Sequence, residues 1–147
     1  MTDTQTEIDV TARTVYGEAR GEGNQGMKAV ANVIRNRVEA ALKHVQATGK
    51  PHPLFGDGTY EDCCKRPWQF SCWNPNDPNR SIISDVTTAD PIFLLASQIA
   101  SFAVNGVLPD ITGGATYYKR IGTPASWAED IDPCVTIGHQ EFYNNVT

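Results

Sequence analysis

The chain has 147 residues, with 12 Lys and Arg against 17 Asp and Glu for a net charge of −5, and is 40% hydrophobic against 20% charged. That balance suits one globular domain with a buried core and excludes wholesale disorder, collagen-like repeats and low complexity. An excess of acid without a Lys/Arg cluster speaks against binding nucleic-acid phosphates, and the longest apolar run, Ile92-Phe93-Leu94-Leu95-Ala96, falls far short of the roughly 20 residues that span a bilayer.

The first twenty residues carry acids before any base and lack an apolar core segment and a small-residue cleavage site, so no secretory signal peptide is expected. Ile8, Ala12, Val15, Tyr16 and Ala19 recur at three- and four-residue steps and predict a first helix running to about Ala19. Beyond the glycines Gly21, Gly23 and Gly26, one face of a second helix is written by Met27, Val30, Ala31, Ile34, Val38, Ala41 and Leu42, with Lys28, Arg35, Glu39 and Lys43 elsewhere. From Gly49 to about Thr88 the chain is rich in Pro, Gly, Asn, Asp and Ser and predicts a long irregular excursion. It carries Phe55, Tyr60, Trp68, Phe70 and Trp73, which is too aromatic for disorder, so an ordered, function-bearing loop is expected. Asp90-Pro91 then supplies a cap and a first-turn proline for a third, nearly apolar helix through Ile92, Leu95, Ala96, Ile99, Phe102 and Ala103, expected to be central and closed by Asn105-Gly106. The remainder, around Ala115–Tyr118 and Val135–Ile137, predicts short strands or extended loops. No repeat or domain boundary interrupts residues 1–147.

Cys63, Cys64, Cys72 and Cys134 leave disulfides and buried free thiols both open. The adjacent pair Cys63 and Cys64 is strained as a bridge, so a disulfide would use Cys72 or Cys134. A zinc site from His44, His52, Cys63, Cys64 and Cys72 lacks the usual closely spaced half-site, and no metal or other cofactor is expected.

Gly21-Glu22-Gly23-Asn24-Gln25-Gly26 fits the dinucleotide pattern G-x-G-x-x-G, but helical spacing precedes it and Glu18 and Glu22 would repel a pyrophosphate. Tyr16-Gly17-Glu18-Ala19-Arg20-Gly21-Glu22 instead sets two carboxylates four apart beside glycines. They are either solvated helix-end acids balanced by Arg20 or the acids of a cleft, where apolar packing favours proton donation. Trp68-Gln69-Phe70-Ser71-Cys72-Trp73-Asn74 interleaves flat apolar faces with amide and hydroxyl groups, a mixture suited to sugar rings, and Trp127 with Tyr117-Tyr118 extends it. The pattern proposes a carbohydrate cleft containing a carboxylic acid.

The runs Ala12–Glu22 and Gly26–Val38, then Gln69-Phe70-Ser71-Cys72-Trp73-Asn74, then Ala115–Tyr118, Trp127 and Ile137-Gly138 through Phe142-Tyr143, resemble the SleB/CwlJ family of cell-wall hydrolases over residues 10 to 145. The resemblance implies a mainly helical α+β, lysozyme-like single domain that cuts peptidoglycan glycan strands by lytic transglycosylation. It further implies that Glu18 is the acid/base, with Glu22 a second catalytic or site-shaping acid, and that Gln69, Phe70, Ser71, Trp73, Tyr117, Tyr118, His139 and Gln140 contact substrate. Here Gly138-His139-Gln140-Glu141-Phe142 departs from the family's Gly-Asn-His-x-Phe, with the histidine one position early. Hydrolytic muramidase, amidase and non-catalytic glycan-binding readings are the alternatives. A phage endolysin is the expected setting: a monomer made in the cytoplasm and released to the wall by a holin-type partner.

Overall fold

In the computed structural model, which describes residues 3–147, the first helix, α1 (Thr4–Ala19), begins where the Asp3 carboxylate accepts the Thr6 N–H at 2.8 Å. After a short break α2 (Gly23–Thr48) starts four residues ahead of the apolar stripe and stops at Gly49, whose φ of 73° is the left-handed conformation that glycine adopts freely. Its buried face includes Met27, Val30, Ala31, Ile34, Val38 and Ala41, as the periodicity predicts, and Val33 besides, whereas Leu42 of the predicted stripe stands 43% exposed. The expected third helix is α5 (Pro91–Val104). Asp90 Oδ1 accepts the N–H groups of Ile92 and Phe93 at 2.8 and 3.4 Å, while Oδ2 accepts the Tyr16 hydroxyl at 2.7 Å. One carboxylate thus caps α5 and ties it to α1.

The expectation that α5 is central needs correction. Phe93, Ala96, Ile99, Ala100 and Ala103 are buried toward α1 and α2, whereas Ile92, Leu94 and Phe102 stand 43, 44 and 52% exposed, so α5 is an outer layer.

The excursion between α2 and α5 is ordered but not irregular throughout: it forms α3 (Tyr60–Lys65), a 3₁₀ turn (Ser71–Trp73) and α4 (Asn79–Asp85). Helices of one or two turns do not persist on propensity alone, and α1 supplies the fastenings. The Glu7 carboxylate accepts the N–H groups of Tyr60 and Glu61 at 3.1 and 2.6 Å, capping α3 from another element. Arg13 donates to the carbonyls of Ile83 and Val86, the Trp73 indole N–H donates to the Thr14 hydroxyl at 2.8 Å, and Arg20 donates to Asn79 Oδ1 at 2.7 Å.

Three strands close the chain, β1 (Tyr117–Arg120), β2 (Val135–Ile137) and β3 (Gln140–Tyr143), in the antiparallel order β1-β3-β2. Phe142 is fully buried with Ala29 and Val33 of α2 and with Ala115, which seats the sheet on that helix. Asn32 and Asn36 complete the attachment: Asn32 brackets the incoming segment through the Pro109 carbonyl and the Ile111 N–H, and Asn36 donates to the Ala115 carbonyl.

All four cysteines are free. Cys63, Cys64 and Cys72 lie in the core, where burial pushes the Cys63 thiol up to about 12, and Cys134 is exposed. Among the described residues no three His, Cys, Asp or Glu side chains gather into a metal-ligand group, and His44 and His52 pack edge to face away from the core thiols.

Gly17 lies where α1 meets the 3₁₀ turn. A Cβ there would stand 2.8 Å from Cys72 Cβ and from Ile83 Cγ2, contacts that require the turn or the helix to shift. Gly17→Ala is expected to lower unfolding free energy by about 1–3 kcal/mol in denaturant titration; a variant as stable as the wild type would contradict this packing.

Candidate active site

Glu18 occupies the last turn of α1, so its side chain emerges where the helix ends and meets three groups from two distant segments. The Tyr118 hydroxyl of β1 donates to Oε1 at 2.6 Å; the Cys72 backbone N–H donates to Oε2 at 3.1 Å and the Ser71 hydroxyl to the same oxygen at 3.4 Å. Burial and then the adjacent Glu18 charge push the Tyr118 phenol well above its ordinary range, so it remains a hydroxyl donor. Two of the three donors are hydroxyls, which can also accept a hydrogen bond when the carboxyl carries a proton, whereas the amide cannot. The site therefore accommodates both protonation states of Glu18.

The carboxylate opens onto a groove of about 340 Å³ walled by Trp68, Gln69 and Ser71 on one side and Tyr117, Tyr118 and Trp127 on the other. Arg37 underlies it. Its guanidinium donates to the Thr116 carbonyl at 2.7 Å and to Gln69 Oε1 at 3.3 Å, and lies about 5 Å from the ring centres of Phe55, Phe70 and Tyr117. Tyr117 and Trp127 have ring centroids 5.0 Å apart and form a continuous aromatic wall. Among the described residues Glu18 is the only acidic side chain lining this groove.

Four of the expected substrate contacts, Gln69, Ser71, Tyr117 and Tyr118, line the groove, and four do not. Phe70 is 1% exposed: in the extended stretch before the 3₁₀ turn its flanking residues face the groove while its ring turns inward under Arg37. Trp73 faces a separate depression. Gln140 and Glu22 line a polar hollow on the other side of Glu18, together with Arg20, Asn79 and Arg120. His139 stands at the surface on the β2–β3 turn.

Arg37 and Leu54 were not expected there yet line the groove, beside Trp68 and Trp127 of the aromatics read as suited to sugar rings. Arg37 carried a signal: it falls inside the buried stripe of α2, three residues past Ile34 and four before Ala41, where a charge needs partners. Trp68 is held in an unusual turn. The Gln69 N–H bonds the Arg66 carbonyl at 3.2 Å, closing a turn with Pro67 in second place and Trp68 third, at φ 67°. That is the glycine position of a type II turn, and a bulky residue there costs about 1–3 kcal/mol of backbone strain.

Glu22 has a different task from Glu18. Oε1 accepts the His139 backbone N–H at 2.9 Å and Oε2 meets His139 Nδ1 at 3.2 Å. Burial raises its pKa, but the two His139 contacts, with the charges of His139 and Arg120, outweigh that and leave the carboxyl below its ordinary value. Glu22 therefore clamps the β2–β3 turn to the α1–α2 junction as an ionised group.

The fold agrees with comparisons to known proteins. A cell wall hydrolase family profile matches residues 21–143, and the chain belongs to that family. The fold superposes on the catalytic domain of the germination-specific lytic transglycosylase SleB from Bacillus anthracis, with a TM-score of 0.63, 26% identity and 96% of each chain covered. It also superposes on the catalytic domain of the Bacillus cereus SleB protein, with a TM-score of 0.64, 27% identity and coverage of 97% of this chain and 92% of the other. A spore cortex-lytic enzyme of Oceanobacillus iheyensis is 55% identical over 38 residues, which is 26% of this chain and 14% of that protein. The chain is a cell wall hydrolase of the SleB type, in the lysozyme-like, mainly helical fold anticipated from its motifs. The profile match begins three residues after Glu18, so the role of that residue rests on its place in the groove.

Because the folded-state pKa of Glu22 is depressed, its contribution to stability is present above the ordinary value of 4.5 and is lost as pH falls through the lower folded value. Glu22→Gln should be less stable than the wild type near neutral pH, with the gap closing in acid; denaturant titrations of both proteins across that range read it directly.

Proposed function

We propose that the protein cuts peptidoglycan glycan strands between N-acetylmuramic acid and N-acetylglucosamine as a lytic transglycosylase, with Glu18 as its acid and base. The observation that carries this reading is a carboxyl at the floor of an aromatic, amide- and hydroxyl-bearing groove, both of its oxygens held by donors and two of those donors reversible. Likeness to the catalytic domain of a lytic transglycosylase supports it.

The protonated Glu18 gives its proton to the glycosidic oxygen as the bond from that oxygen to C1 of the muramyl unit breaks. The carboxylate left behind takes the proton of the C6 hydroxyl while that oxygen bonds to C1, closing a 1,6-anhydro ring. Glu18 is regenerated protonated and no water is consumed. During the carboxylate stage the Cys72 N–H, the Tyr118 hydroxyl and the Ser71 hydroxyl hold the charge; during the acid stage a hydroxyl reverses to receive the proton's hydrogen bond. The aromatic walls take the C–H faces of the sugars, and Gln69, whose oxygen is taken by Arg37, offers its N–H₂ to hydroxyl or acetamido oxygens.

A hydrolytic muramidase uses a second carboxylate roughly 5–5.5 or 6.5–9.5 Å from the first. Glu22 is turned toward His139 with both oxygens engaged, which favours the path with one carboxyl. The endolysin role, with cytoplasmic synthesis and a holin-type partner, extends the proposal from the family resemblance alone.

Glu18→Gln keeps the side chain's shape and removes the proton, so activity on purified peptidoglycan should fall by about 10²-fold or more. Mass spectrometry of the wild-type products should find anhydromuramyl ends; reducing muramyl ends would mean hydrolysis, and released stem peptides an amidase. Co-expression with a pore-forming holin tests the setting: lysis should require both proteins and an intact Glu18.

A further inference from the structure

The groove at Glu18 has Trp68 in its lining, and the same residue lines a second depression of about 300 Å³, completed by Lys65, Arg66, Pro67, Trp73, Asn74 and Pro75. The Trp73 indole N–H is already taken by Thr14, and the Lys65 ammonium and Arg80 guanidinium lie 5.1 and 5.6 Å from its ring centre. Trp68 is 77% exposed, the most exposed of the large hydrophobic side chains among the described residues, and sits at φ 67° in the third place of its turn. Folding has no use for it there: the indole is not in the core, and glycine would relieve the backbone. It makes no contact with Glu18 that the acid/base chemistry needs.

We propose that Trp68 and this depression form a second sugar subsite, which takes an N-acetylated amino sugar further along the strand whose bond is cut at Glu18. The proposal rests on the glycan-cleaving reading above and extends it. Continuity makes the argument, because Trp68 lines both the groove and the depression, so a sugar strand stacked on that indole borders both. The chemistry of the lining agrees: an indole face suits the C–H side of a pyranose, the two prolines and Trp73 suit an acetamido methyl, and Asn74 offers donor and acceptor to the ring's polar edge.

The test measures binding without turnover, using the N-acetylglucosamine hexamer and dimer as probes and tryptophan fluorescence or calorimetry as readout. The hexamer should bind the wild type more tightly than the dimer. Trp68→Gly should remove about tenfold of hexamer affinity and at the same time raise Tm by about 2–4 °C, a combination a structural tryptophan cannot produce. Pro75→Glu, which sets a charge in the depression outside the Glu18 groove, should weaken the hexamer and leave dimer affinity in place. Equal or absent binding of the two probes, unchanged hexamer affinity in both variants, or a lower Tm in Trp68→Gly would overturn the subsite. Loss of wall cleavage in Glu18→Gln is a separate measurement, so an inactive Glu18→Gln beside unchanged hexamer binding would remove the subsite and leave the catalytic reading standing.

Discussion

The Arg37 guanidinium holds together the pieces from which the groove is made. It is 5% exposed, and a charge so deeply placed forfeits its water, which costs several kcal/mol unless other groups replace the solvent. Here the replacement comes from three places in the chain. Thr116 gives a carbonyl and Gln69 an amide oxygen, while Phe55, Phe70 and Tyr117 offer their rings. Burial moves its pKa down from the ordinary arginine value, yet a guanidinium stays charged throughout the neutral range. Its planar shape lets it stack and donate at once, which an ammonium cannot do. Each partner lies on a segment that also supplies groove lining: Gln69 and Tyr117 line it themselves, and Leu54 and Ser71 are neighbours of Phe55 and Phe70. The two walls keep their distance because both are held by one buried ion.

Burial of one face imposes a 3.6-residue period over many turns, and α1, α2 and α5 were legible in the sequence for that reason. At six and seven residues, α3 and α4 are too short to display a period, and what fastens them lies in α1, in Glu7, Arg13 and Arg20, which no local pattern connects to residues 53 to 73 positions away. The strand β3 escaped notice for a related reason, since only its register against Tyr117–Arg120 and Val135–Ile137 defines it. The site divides the same way. Glu18 was legible because its motif is local, and the sugar-binding character of residues 68–74 because it is compositional. The inward turn of Phe70 and the placement of Arg37 depend on tertiary packing.

The same division explains why two glutamates four residues apart do different work. On a continuous helix that spacing puts both side chains on one face. The helix is not continuous: α1 ends at Ala19, the Glu22 N–H returns to the Ala19 carbonyl at 3.0 Å, and Glu22 becomes the residue ahead of α2. The break sends Glu18 toward Tyr118, Ser71 and Cys72, and Glu22 toward the β2–β3 turn. That turn can approach only because residue 138 is glycine, with φ 59° and with its missing Cβ position 3.0 Å from Glu22 Oε1. His139 then holds Glu22 ionised through one rigid amide and one ring nitrogen, a set that favours a permanent negative charge. Glu18 also accepts one rigid amide N–H, from Cys72, but its other two partners are hydroxyls that can turn to accept when the carboxyl carries a proton. A permanently ionised carboxylate serves as a clamp, and one whose neighbours tolerate both states can give a proton away and take another back within one reaction.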